Sequence, residues 1–100
     1  MATITIKSDK RKNHQVLHGL VRTALHCEQE NLQFALARTR SELAKFERLY
    51  GMASAKFYRR YKSGKLDDRD DFIEWSGEYQ IYLLIKEQIA SLRGLKIDGR

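Results

Sequence analysis

Apolar residues in the first half of the chain recur at spacings of three, four and seven. Leu17, Val21, Leu25, Leu32, Leu36, Leu43, Phe46 and Tyr50 form one such series, the recurrence of a single stripe on an α-helix. No proline occurs anywhere in the chain, so the strongest breaker of helices is absent from every segment. Ser8 or Asp9 can cap the start, and Gly51 is placed to end the helix in a left-handed conformation. The pattern therefore predicts one helix over residues 9–50, roughly 60 Å long at 1.5 Å per residue. A second, short helix is predicted over 54–62. Ser54 is its expected cap, Phe57, Tyr58 and Tyr61 are its apolar face, and Gly64 closes it. A third helix is predicted over 67–93, capped by Asp67 or Asp68. Its stripe is Phe72, Trp75, Tyr79, Tyr82 or Leu83, Ile89 and Leu92. Aspartates 67, 68, 70 and 71 complement the positive end of its dipole.

Residues 1–8 read differently. Ile4 and Ile6 alternate with Thr3, Thr5 and Lys7, the period of a strand, but one short strand has no partner in the chain. An extended arm is the expectation, and residues 94–100 are expected to be a flexible tail. A strand followed by helices is also the order of ribbon-helix-helix DNA-binding proteins. That fold needs a turn between two short helices, and only Gly19 interrupts residues 9–50.

The predicted architecture is all-α and single-domain over 1–100: an elongated antiparallel helical hairpin with a short connecting helix. The third helix, about 37 Å long by the same rise, can cover only the second half of the first. Leu17, Leu20, Val21, Leu25 and Leu32 are then left as candidate partner-binding residues, and a homodimer or hetero-oligomer is expected. A purely structural coiled-coil dimer is a further possibility.

Composition adds a second candidate. The chain has 100 residues, a formal charge of +6, 42% hydrophobic and 32% charged residues. A basic balance favours acidic partners, and nucleic acid is the alternative reading. It would use Lys7, Lys10, Arg11 and Lys12 together with Arg59, Arg60, Lys62 and Lys65, where aromatic residues interleave with basic ones. The acidic residues 67–78 adjoin this second block across Gly64, and the two blocks are expected to screen each other. Asp70, Glu74 and Glu78 share a helical edge but lie far from any histidine, and His14 with His18 makes at most half a metal site. No glycine-rich phosphate loop or nucleophile elbow occurs. No enzyme activity, cofactor or metal is expected. Cys27, the single cysteine, is expected to be inert and partly buried. No apolar run approaches the ~18 residues of a membrane span, and the N-terminus lacks the order of a signal peptide. A cytoplasmic location is expected.

Residues 50–82 carry a more specific string: Tyr50-Gly51-Met52, Phe57-Tyr58, Arg60-Tyr61, Gly64, Leu66, Asp68, Asp71-Phe72, Glu74-Trp75, Tyr79 and Tyr82. It resembles a family of small helical antitoxin-like partners of prokaryotic toxin–antitoxin modules. The resemblance covers about the C-terminal half of the chain. It implies a non-catalytic subunit that binds a small toxin and occludes its active site.

Overall fold

The computed structural model describes residues 10–95, with side chains described from residue 12. Three helices follow one another: α1 (Lys10–Tyr50), α2 (Ser54–Lys62) and α3 (Asp70–Gly94). The expected arm over 1–8, including Lys7, the Ser8/Asp9 cap and most of the 94–100 tail lie outside the described residues. The helical hairpin is as the periodicity predicts. α3 returns antiparallel to α1 and packs on its second half, with α2 wedged at the closed end. The radius of gyration is 20.9 Å, against about 13 Å for a compact domain of this length.

Both turns are set by glycine. Gly51 has φ of 60° and Gly64 a φ of 77°, a region that side chains with a Cβ rarely adopt. Beyond Gly51 the Met52 N–H reaches back to the Glu47 carbonyl at 3.3 Å. Beyond Gly64 the Lys65 N–H reaches the Arg60 carbonyl at 3.0 Å, and the Gly64 N–H reaches that of Tyr61 at 3.1 Å. This is the Schellman pattern, which satisfies carbonyls the helix would leave bare.

The core is two clusters on one stripe of α1. At the closed end Leu43, Phe46, Phe57, Phe72 and Trp75 are buried, ringed by Tyr50, Met52, Tyr58, Tyr61, Leu66, Tyr79 and Tyr82. Phe57 lies flat on the Trp75 indole, with ring centroids 3.8 Å apart and planes 4° apart. Further along, Leu32 and Leu36 bury against Ile85, with Ile89 and Leu92 beside them. Thr39 lies between Leu36 and Leu43 on α1 and is fully buried. Its hydroxyl donates to the Ala35 carbonyl at 2.8 Å, so no buried donor is wasted.

Three local expectations are corrected. Ser54 does not cap α2. It is the first helical residue, after Ala53, and its hydroxyl points inward. The carboxylate of Glu47, on α1, takes the capping role. Glu47 Oε2 accepts from the Ser54 N–H at 3.0 Å and from the Ser54 hydroxyl at 2.7 Å. Ser54 Oγ in turn accepts from the Trp75 indole N–H at 2.9 Å. α3 also begins later than predicted, at Asp70, with Arg69 at the cap position and no side-chain cap. The Asp67 carboxylate is consumed by Arg69, accepting from its backbone N–H at 3.2 Å and its guanidinium at 2.9 Å. Finally, Cys27 is exposed, because the part of α1 that bears it has no covering helix.

Candidate interaction surface

The geometry of α1 divides the predicted partner-binding residues. Leu17, Leu20 and Val21 are 59%, 62% and 49% exposed, and Leu25 is half-buried. Leu32 does not belong with them. It is 8% exposed and packs in the chain's own core, because α3 runs far enough to bring Ile85 and Leu92 onto it. Leu32 is therefore withdrawn as a partner-binding residue. The boundary of the uncovered segment falls near Glu28, where Leu92 and Leu95 close the end of the hairpin groove.

The uncovered segment continues the buried stripe. At about 100° per residue, Leu17, Val21 and Leu25 face the same way as Leu32, Leu36, Leu43 and Phe46. One face of α1 is thus covered by α3 along its second half and bare along its first. Val16, 54% exposed, and Leu20 widen the bare face by about 60–100° to one side of Leu17. The sequence series passed over Val16 because it falls outside the main spacing. It also passed over Phe34, 80% exposed, at the rim of an open groove with His26, Gln29, Ala37, Ile89 and Arg93. On α3, Ile73, Ile81 and Leu84 are exposed as well, on the side turned away from α1.

The residues of the nucleic-acid reading do not converge. Lys10, Arg11 and Lys12 open α1, and Lys12 is exposed. Arg59, Arg60, Lys62 and Lys65 are exposed on and just after α2, at the opposite end of a helix about 60 Å long. Among the described residues no ion pair joins Lys56, Arg59, Arg60, Lys62 or Lys65 to the acidic block expected to screen them. Lys62 instead lies over the Tyr58 ring at 5.4 Å, and the aspartates serve tyrosines. Tyr50 donates to Asp71 Oδ2 at 2.6 Å and Tyr61 to Asp68 Oδ1 at 3.1 Å. The Asp71 bond, aided by burial, raises the Tyr50 phenol above its ordinary pKa. Burial and the Asp68 bond raise that of Tyr61. The hydrogen bonds from the Arg69 guanidinium, and then from its backbone N–H, hold the Asp67 carboxyl below the usual range.

The string at residues 50–82 now has a structural meaning. Tyr50, Met52, Phe57, Tyr58, Tyr61, Leu66, Phe72, Trp75, Tyr79 and Tyr82 all belong to the closed-end core, while Asp68 and Asp71 hold tyrosines of that core. The string is a packing motif and lies away from the bare face of α1. The His14 and His18 rings meet at a tilt of 54°, with centroids 4.2 Å apart. Among the described residues no group of three or more His, Cys, Asp or Glu side chains is placed to hold a metal ion. No helix there is long and apolar enough to cross a membrane. Comparison with protein-family models, curated proteins and solved structures gives no match.

Proposed function

We propose that this chain is a non-catalytic protein–protein interaction subunit that docks through the uncovered N-terminal half of α1. One observation carries the reading. Leu17 and Val21 are 59% and 49% exposed on the continuation of a stripe that the same chain buries from Leu32 onward, and Leu20, 62% exposed, lies beside them. Contiguous exposed apolar surface of this kind marks an interaction site, and an amphipathic helix laid against a groove is a recurrent way to use it. The closed-end core gives the docking helix a rigid support.

The specific form we propose is antitoxin-like: the subunit binds a small toxic partner and covers its working surface. The resemblance of residues 50–82 supports it. A cytoplasmic location goes with this reading. Nucleic-acid binding is favoured less, because the two basic clusters stand at opposite ends of α1.

The test is to co-express the full chain with the product of the neighbouring gene. The expected result is that the neighbour alone arrests growth, that the pair grows and co-purifies, and that Leu20→Asp abolishes both rescue and co-purification. A harmless neighbour, or rescue that survives Leu17→Asp and Leu20→Asp together, refutes the reading.

A further inference from the structure

The two flanks of the hairpin differ in charge. On one flank a groove runs between α1 and α3. Near the closed end it is lined by Tyr79, Tyr82, Lys86 and Arg40. Arg40 and Lys86 also line its middle, with Ile89, Ala90 and Arg93. Ile89 and Arg93 then line its open end, with Ala37 and Phe34. Because each stretch shares residues with the next, the groove is continuous, about 21 Å long from Tyr79 to Arg93 at 1.5 Å per residue. On the other flank the space between the same helices is bordered by Glu28 and Glu87 instead.

The floor of the groove is apolar and its walls are cationic. Ala37 and Ala90 are exposed and small, and Ile89 is half-buried between them. Arg40, Lys86 and Arg93 are all exposed, and among the described residues none of the three is in an ion pair. Lys86 and Arg93 are seven residues apart, hence two turns apart on one edge of α3. Arg40 stands across from them on α1. The two carboxylates that line the groove lie toward its ends and are already engaged. Glu47 accepts from the Ser54 N–H and hydroxyl, and Glu30 lies 3.6 Å from His26.

We infer that this groove receives an amphipathic helix with acidic flanks, supplied by a partner protein. A seam between antiparallel helices floored by small and aliphatic side chains takes a third helix in ordinary bundle packing. Unpaired cations on both walls select carboxylates on both flanks of that helix. Two of those carboxylates stand seven residues apart against Lys86 and Arg93, and another meets Arg40. Single-stranded nucleic acid fits less well, because bases need open ring faces. Tyr79 and Tyr82 stack on each other with centroids 5.8 Å apart, Lys86 lies 5.3 Å over Tyr82, and Tyr58 packs against Tyr79 at 5.0 Å. Of the three benzene rings along the groove only Phe34, at the outer rim, is left open. Residues 1–9 and 96–100 hold one aspartate each and no glutamate, so neither segment supplies the acidic helix. This surface is separate from the bare stripe of α1, and the inference does not rest on the function proposed above.

The experiment selects displayed helical peptides, about 14 residues long to match the groove, on the full chain. Their apolar stripe is fixed and their flanks are randomised among acidic, basic and neutral residues. The expected winners carry Asp or Glu at flank positions seven apart. Lys86→Glu with Arg93→Glu should weaken their binding by about tenfold, since it turns two exposed pairs repulsive, and a lysine-flanked version of the same peptide should recover it. Ala90→Glu, which puts a carboxylate between the two cations, should weaken it as well. Ile73→Gln, on the outer side of α3, should leave it unchanged, and circular dichroism should show every variant helical. Failure to enrich any helical peptide, neutral or basic winners, or binding indifferent to these groove variants overturns the inference. Oligothymidylate binding that the same variants abolish, with no peptide bound, assigns the groove to nucleic acid and overturns it too. Self-association of the free chain that Ala90→Glu abolishes assigns the groove to a second copy, with the same consequence.

Discussion

Replacing Ser54 by alanine removes one oxygen, and the structure makes that oxygen expensive. Ser54 Oγ stands between two groups that differ in need. It donates to Glu47 at 2.7 Å and accepts from the Trp75 indole at 2.9 Å. Trp75 is fully buried, so its N–H has no water to turn to. An orphaned buried donor costs about 1–3 kcal/mol, and a lost hydrogen bond to a charged group removes a net contribution of similar size. Glu47 keeps its bond from the Ser54 backbone, which limits the second loss. A cost of about 2–4 kcal/mol follows. That is a large share of the roughly 5–15 kcal/mol expected for a chain of 100 residues. Thermal unfolding followed by circular dichroism and tryptophan fluorescence at fixed protein concentration should show Tm lower by roughly 10–25 °C. The decisive comparison is Trp75→Phe, which deletes the donor itself. If the orphaned N–H is the cause, the double variant is less destabilised than the sum of the singles by at least about 1 kcal/mol. Additive losses, or a Ser54→Ala cost below about 0.5 kcal/mol, refute the account.

Leu32→Ala should cost about 2–4 kcal/mol by urea unfolding, whereas Leu20→Gln should stay within about 0.5 kcal/mol, since only the first is buried by the chain itself. Gly77 sits inside α3 with nothing within 4 Å of a Cβ built there. Gly77→Ala should therefore stabilise by about 0.5–1 kcal/mol, read as a higher urea midpoint. The folded state holds the Tyr50 proton more tightly than the unfolded one, chiefly through Asp71. That contribution is intact below pH 10 and declines as pH rises beyond it. Tyr50→Phe should flatten the alkaline limb of a stability–pH profile, leaving the part due to Tyr61.

The long-range frame of this molecule was written in its spacing. The series from Leu17 to Tyr50 gives α1, and glycines 51 and 64 give both turns, because a positive φ is a local demand that one residue type meets. The excess length of α1 over α3 gives the bare stripe. What escaped prediction depends on groups that meet only after folding. Ser54 resembles a cap in the sequence, yet a carboxylate seven residues earlier on another helix takes that place and frees its hydroxyl for Trp75. Asp67 resembles a cap as well, until Arg69 claims it. The predicted end of α3 at residue 93 is within one residue of the observed Gly94, and Leu32 moves to the core because Ile85 and Leu92 pack onto it. Phe34 carries no periodic signal and is visible as exposed only once α3 is in position.

α1 has no break between the segment that is bare and the segment that is clamped. Helix spacing fixes the interval from Val21 to Tyr50 at about 44 Å. Any molecule that seizes the free end therefore holds the aromatic end at a set distance and azimuth, as a handle holds a blade.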